Sequence, residues 1–63
     1  MLSKKHYQRI ASVIEKHQAG KVFSVRVAVW QIAEELSDCF AEDNDRFDYY
    51  RFINACGFRH PPA

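Results

Sequence analysis

The sequence predicts an all-α protein, a compact domain with two longer helices paired as a hairpin and a short third helix. Apolar residues recur at helical spacing over residues 4–19 and 25–42. Gly20 and Gly57 stand where two of these helices should stop. The stretch 44–58 carries both the start and the stop signals of a complete helix. These three observations define the fold class, and each element follows from local patterns.

The first helix should begin after Ser3, a residue suited to the N-cap, and run to about Ala19 before the Gly20 stop. Val13 falls beside its inner stripe and widens it. The stripe itself consists of Tyr7, Ile10, Ala11 and Ile14.

The second helix should run from about Val25 to Glu42, with Ser24 as its N-cap. Its start is the weakest boundary, because β-branched residues crowd the first turns. The predicted inner stripe is Val25, Val29, Ile32, Ala33, Leu36 and Phe40, with Cys39 at its edge. The polar side should include Glu34, Glu35, Ser37, Asp38 and Glu42.

The third helix, 49–56, follows a polar turn and has the clearest local signals. Asp48 can accept the free N–H groups of the first turn as N-cap. Phe47 and Phe52 occupy the two positions that a hydrophobic staple joins. Phe58 can fold back over the last turn after the glycine stop.

Size and composition limit the possibilities. A chain of 63 residues is one domain, predicted here as residues 1–58 with a loose, proline-containing tail at 59–63. Its 48% hydrophobic content excludes a disordered chain and suggests more apolar surface than one small core can hide. No apolar run approaches the ~18 residues that a membrane span needs, and the N-terminus lacks the apolar region of a signal peptide.

Cysteine usage favours a reducing compartment. Cys39 and Cys56 form neither a disulfide framework nor a close pair, and both are predicted on core faces. We therefore expect a cytoplasmic protein that does not enter a membrane.

Charge is segregated although the net charge is only +1. Residues 1–28 hold six basic residues and one acid, whereas residues 29–48 hold seven acids and one arginine. Two solvated faces of opposite sign within one fold would explain this, as would an acidic patch for a basic protein partner or a basic patch for nucleic acid. The basic residues of that last alternative, a small DNA- or RNA-binding regulator, are Lys4, Lys5, Arg9 and Lys16. Against it, the basic helix is the first, while a recognition helix is normally a later one.

The sequence gives little support for a catalytic site or for a bound cofactor. His6 and His17 would lie roughly 16 Å apart along one helix, too far for one metal ion. The acidic turn 43–48 departs from a calcium-binding loop at three positions. A domain this small should also leave little room for a substrate cleft of a few hundred Å³. We therefore expect no enzyme, no metal site and no cofactor.

Surplus aromatic residues favour binding to another protein. Trp30 should fall on the shoulder of the second helix opposite the stripe, unless it is tucked under the connector or against the third helix. Tryptophan and tyrosine flanked by charges are the composition of interface hot spots. The predicted contact residues are Trp30, Tyr49 and Tyr50, with Glu34, Glu35 and Asp38 as an acidic rim. The same surplus would also suit a homodimer, since association adds burial to a marginal core.

Two segments resemble small proteins of phages and other bacterial mobile elements. Residues 2–11 read Leu-Ser-Lys-Lys-His-Tyr-Gln-Arg-Ile-Ala, like the Leu-Thr/Ser-Lys-x-His-Phe/Tyr-x-x-Ile-Ala opening of that group. Residues 40–57 match its closing pattern Phe-x-x-Asp-Asn-x-x-Phe-Asp-x-x-Arg-Phe-x-x-Ala-Cys-Gly. Here Asn44-Asp45 replaces the usual Asn-Pro, which removes a rigid turn and makes the loop more acidic.

The resemblance implies an accessory protein of phage or plasmid origin in a bacterial cytoplasm, and it supplies no catalytic or binding residues. Together with the residues above, it suggests a small non-enzymatic protein that binds a host or mobile-element protein. An inhibitor of a host defence system, such as an anti-CRISPR, is a special case by analogy alone.

Overall fold

Three helices make up the fold in the computed structural model, which describes residues 2–59. They are α1 (Lys4–Gln18), α2 (Phe23–Asp43) and α3 (Tyr49–Ala55), and each contacts the other two. The predicted all-α class and three-helix arrangement are confirmed. The expected loose tail falls mostly on residues 60–63, which lie outside the described part of the chain.

Helices α1 and α2 form the predicted hairpin. At one end the Leu2 backbone N–H donates to Asp43 Oδ2 over 3.0 Å. At the other end Arg26 Nε donates to Gln18 Oε1, also over 3.0 Å. These pairs join the start of α1 to the end of α2 and the end of α1 to the start of α2, so the two helices run antiparallel.

The start of α1 agrees with the prediction, and its cap uses His6, to which the sequence analysis gave no part in capping. Ser3 is the N-cap, and its backbone N–H donates to His6 Nδ1 over 3.1 Å. This bond satisfies a donor at the helix entrance that would otherwise lack a partner. Gly20 follows the helix with φ +72°, the left-handed conformation expected of its stop.

The start of α2 differs from the prediction. The helix begins at Phe23 after Val22, so Ser24 is not its N-cap but lies in the first turn. The Arg26 N–H donates to the Val22 carbonyl over 3.1 Å and closes that turn. Because the Arg26 side chain is held by Gln18, tertiary contacts stabilise a helix start that has no side-chain cap.

The entrance to α3 has the predicted cap and staple. Asp48 Oδ1 accepts the Arg51 backbone N–H over 3.1 Å. The Phe47 and Phe52 rings pack with centroids 5.6 Å apart. Both features arise within a few residues, and they fix the angle at which the chain enters the helix.

The end of α3 has the hydrogen bonds of a Schellman motif. Gly57, with φ +95°, donates its N–H to the Asn54 carbonyl over 3.0 Å. The Phe58 N–H donates to the Ile53 carbonyl over 3.2 Å, and the Phe58 ring is almost fully buried. The predicted glycine stop and the folding back of Phe58 are therefore confirmed.

An aromatic cluster joins the three helices at one end of the molecule. The Tyr7 ring lies 4.9 Å from Phe40 and 5.0 Å from Phe47, and Phe40 lies 5.3 Å from Phe52. The tilted and edge-on geometries are those that aromatic pairs prefer. The buried apolar core comprises Tyr7, Ala11, Ile14, Ala33, Phe40, Phe52, Ile53, Cys56 and Phe58.

The predicted stripe of α2 is wrong along one edge. Val25 and Ile32 are 40% and 53% exposed, and Cys39, placed on a core face by the sequence, is also exposed. Ser37, assigned to the polar side, is buried and donates its hydroxyl to the Ala33 carbonyl over 2.8 Å. Helices α1 and α3 both pack on the side of α2 centred near Ser37, so the buried face is rotated from the one predicted.

Candidate protein-binding surface

Four of the predicted contact residues meet where α2 faces α3. The Tyr49 hydroxyl donates to Glu34 Oε1 over 2.6 Å. The Tyr50 ring stands edge-on to Tyr49, with centroids 5.1 Å apart. Asp38 follows Glu34 by one helical turn, so its carboxylate lies on the same side of α2. Two aromatic rings and two carboxylates thus share one surface.

The bond to Glu34 holds Tyr49 in its neutral form. It raises the pKa of Tyr49 to about 12, with smaller contributions from burial and from nearby acidic groups that include Tyr50 and Asp38. The charged acceptor makes this a strong hydrogen bond. Tyr49 therefore serves as a fixed donor that ties α3 to α2.

Tyr50 is the most exposed large side chain of this surface. Its relative exposure is 76%, and its ring lies against Tyr49 at one edge. A single exposed apolar residue carries no meaning by itself. A tyrosine held beside a second ring and two carboxylates presents both apolar area and hydrogen-bonding groups to a partner.

Trp30 extends the surface along α2 and also packs within the fold. It is half-buried, and its ring meets the Phe58 ring edge-on at 5.4 Å. Packing against the segment that follows α3 corresponds in part to the alternative of a Trp30 tucked against the third helix. Since Trp30, Glu34 and Asp38 follow one another at intervals of four residues, they form one ridge. We name Trp30, Glu34, Asp38, Tyr49 and Tyr50 the aromatic-acidic patch; its use as a contact surface stays a prediction.

Glu35 does not join the aromatic-acidic patch. It is exposed, and helical geometry places it about 100° around α2 from Glu34. The structure therefore places one member of the predicted acidic rim on a different side of the helix.

The predicted basic residues of α1 are all exposed but do not share one face. Lys5, Arg9 and Lys16 fall within about 40° of one another around the helix. Lys4 points about 100° away and lines a groove between α1 and α3. Glu15, the only carboxylate of α1, lies about 100° from Lys16. Three cations thus occupy an exposed stripe that no α1 acid interrupts.

That groove was missed by sequence reasoning. Its volume is about 320 Å³, which is larger than expected for a chain predicted to leave little room for a cleft of a few hundred Å³. Lys4, Arg46, Asp48 and Arg51 contribute charged groups to its lining, beside the Phe47 ring. Arg46 lies within the acidic segment 29–48 and Arg51 shortly after it, so the net charge of that segment did not reveal these two cations.

Neither cysteine forms a disulfide, and the two thiols differ in accessibility. Cys39 is exposed, whereas Cys56 is fully buried, and burial raises the pKa of the Cys56 thiol to about 12. A thiol with so high a pKa is a poor nucleophile at neutral pH. Among residues 2–59, no group of three or more histidine, cysteine, aspartate or glutamate side chains is arranged to hold a metal ion.

None of the helices in the described range has both the length and the apolar character needed to cross a membrane. Comparison of the chain with protein-family models, with curated proteins and with solved structures gave no match.

Proposed function

We propose that this protein is a small non-enzymatic domain that binds another protein through the aromatic-acidic patch. The observation that carries the proposal is Tyr50, a large aromatic side chain that is 76% exposed. It lies beside Tyr49, which is already fixed by its hydrogen bond to Glu34. A partner that covers Tyr50 would gain apolar burial without first having to order the neighbouring ring.

The chemistry of the patch indicates the kind of partner. Tyrosine and tryptophan supply most of the binding energy at many interfaces, and polar groups around them exclude water. The carboxylates of Glu34 and Asp38 would favour a partner that presents lysine or arginine around an apolar centre. Trp30 would contribute through the part of its ring that Phe58 leaves uncovered.

The resemblance to small mobile-element proteins supplies a biological setting for this activity. We propose an accessory protein that acts on a host or mobile-element protein in the bacterial cytoplasm. Inhibition of a host defence system, as by an anti-CRISPR, is one form that such binding could take.

The test compares capture of bacterial lysate proteins by the wild-type protein and by Tyr50→Ala. Tyr50 is so exposed that its removal should leave the helical signal in circular dichroism unchanged. Val13→Ala is a matched control, because Val13 is 53% exposed on α1 and lies outside the aromatic-acidic patch. We expect a partner that the wild type and the control retain and that Tyr50→Ala loses. Equal recovery of every bound protein by all three would overturn the proposal.

A second candidate is binding to nucleic acid through the stripe of Lys5, Arg9 and Lys16. The observation that favours it is the absence of an α1 carboxylate from this exposed stripe. Retention on a random DNA duplex should then fall steeply with salt, with a slope of roughly −3 in log–log form for three phosphate contacts. Charge reversal at Arg9 should weaken that retention, whereas Tyr50→Ala should not affect it. No retention at low salt would exclude this candidate.

A further inference from the structure

Helix α2 carries a second apolar pattern that the core covers only in part. Five of its apolar residues are spaced alternately four and three positions apart, which is the a/d repeat of a coiled coil. These residues, which we name the α2 seam, are Val25, Val29, Ile32, Leu36 and Cys39.

The α2 seam lies largely at the surface. Val25 and Ile32 are 40% and 53% exposed, Cys39 is exposed, and Val29 and Leu36 are half-buried. From its first to its last residue the seam covers about 21 Å of helix. Val29 and Leu36 also pack against the core, so the fold leaves Val25, Ile32 and Cys39 as the apolar residues of this edge that stay exposed.

The charges along α2 indicate how a second helix would lie on the seam. Residues 22–33 contain no acidic residue, and the exposed Lys21 lies at this end. The other end is acidic, and Glu35, Glu42 and Asp43 lie within about 100° of the seam around the helix. A second copy in antiparallel orientation would place each acidic half beside a basic end, while a parallel copy would bring the two acidic halves together.

The position of Ile32 fits a two-fold arrangement. It is the middle residue of the α2 seam, seven positions from both Val25 and Cys39. In an antiparallel pair the central residues of the two helices pack on each other near the symmetry axis. Each Ile32 would then be buried against the middle of the other copy's seam.

We propose that the α2 seam docks a second copy of this chain, with the two α2 helices antiparallel and the two-fold axis near Ile32. The antiparallel helix pair is flanked by α1 of each copy, which gives a four-helix layer. This dimer does not depend on the proposed function, since Glu34 of the aromatic-acidic patch falls on the side of α2 opposite the seam. The added burial stabilises a domain whose small size limits its own core.

The first experiment measures solution mass by light scattering over a concentration series of the full chain. We expect the wild type to reach twice its 7.4 kDa mass and Ile32→Glu to stay at once that mass. Because Ile32 is half exposed, the variant should keep its helical circular dichroism. Tyr50→Glu is the matched control and should still dimerise. A wild type that stays monomeric, or a dimer that Ile32→Glu leaves intact, would overturn the proposal.

The second experiment tests the orientation with a short thiol crosslinker. In the double variant Ile32→Cys, Cys39→Ser, the two introduced thiols lie near the axis and should join the copies rapidly. In the wild type the two Cys39 thiols lie at opposite ends of the antiparallel pair and should not be joined. Cys56 is buried in both proteins and adds no reactive thiol. Crosslinking through Cys39 as efficient as that through position 32 would indicate parallel helices and contradict the arrangement, and so would a failure of the position 32 thiols to crosslink.

Loss of dimerisation and failure of the proposed function are distinguishable. Tyr50→Ala should lose the captured partner and keep the dimer, whereas Ile32→Glu should lose the dimer. If Tyr50→Ala retains every partner while the wild type is dimeric and Ile32→Glu monomeric, the proposed dimer is supported and the proposed function of the aromatic-acidic patch is wrong.

Discussion

Gly57→Ala should destabilise the domain far more than an ordinary change of glycine to alanine. Gly57 has φ +95°, and a Cβ there would overlap Gln18 Nε2 and come within 3.1 Å of Glu15 Cγ. The Gln18 side chain is buried and cannot move freely: its Nε2 donates to the Cys56 carbonyl over 3.1 Å, and its Oε1 accepts from Arg26 Nε over 3.0 Å.

The expected loss follows from these contacts. A left-handed conformation costs a residue with a side chain about 1–2 kcal/mol. Displacing Gln18 removes two hydrogen bonds of about 1 kcal/mol each. The sum is about 3–4 kcal/mol, whereas a chain of 63 residues has a free energy of unfolding of about 3–9 kcal/mol. We therefore expect Gly57→Ala to lose much of its stability.

Urea denaturation followed by circular dichroism measures this loss, and Gly20→Ala is its matched control. Gly20 also has a positive φ, +72°, but no atom of the described residues lies within 4 Å of the position that a Cβ would take there. The control should therefore lose only the conformational term, about 1–2 kcal/mol. In a Gln18→Ala background, Gly57→Ala should cost about as much as the control. Equal losses for the two glycine variants in the wild-type background would refute the role given to Gln18.

Three further predictions concern the thiols and the tyrosine bond. At pH 8 a thiol reagent should modify Cys39 rapidly and Cys56 only after denaturation; rapid modification of both would show that Cys56 is accessible. In the folded state the pKa of the Cys56 thiol is about 12, above the ordinary value of 9.0. Above pH 9 the unfolded chain therefore loses this proton while the folded chain keeps it, and the free energy of unfolding should fall by about 1.4 kcal/mol per pH unit. Between pH 8 and pH 10 the free energy of unfolding should decrease less for Cys56→Ala than for the wild type. Equal decreases would contradict the role given to the Cys56 thiol. Tyr49→Phe removes the bond to Glu34 and should cost about 0.5–1.5 kcal/mol, less than a buried bond to a charged group because both side chains are partly exposed; the loss should appear as a fall in Tm of several degrees, and an unchanged Tm would mean that the bond adds no stability.

The sequence predicted the features of the fold that arise locally. The Asp48 cap, the Phe47–Phe52 staple and the Gly57 stop each involve residues a few positions apart, so a pattern is enough to recognise them. The start of α2 was predicted wrongly because the local signal at Ser24 competed with the bond that Arg26 makes to Gln18 in the preceding helix.

The side of α2 that the core covers could not be read from the sequence. Apolar residues span a wide arc of this helix, and either edge could have faced α1 and α3. The buried edge includes Ser37, whose hydroxyl bonds to its own helix and so satisfies a polar group in the core. No pattern distinguishes such a serine from an exposed one.

The candidate surface was predicted by composition and only partly by position. Surplus tyrosine and nearby acids indicated a contact surface, but the bond between Tyr49 and Glu34 joins residues of different helices. Glu34 and Glu35 lie about 100° apart around α2, and the sequence could not show which of them faces α3.

The bridge at Gln18 has a consequence for how the chain folds. One side chain joins the end of α1, the beginning of α2 and the carbonyl of Cys56 after α3, so the bridge is complete only when all three elements are in place. With seven residues, α3 is too short to persist alone, and the α1–α2 hairpin without it leaves Phe40 and the Gln18 amide uncovered. We expect the hairpin and α3 to form in a single cooperative step, with hydrogen exchange at the bridge requiring the same opening as exchange in the core.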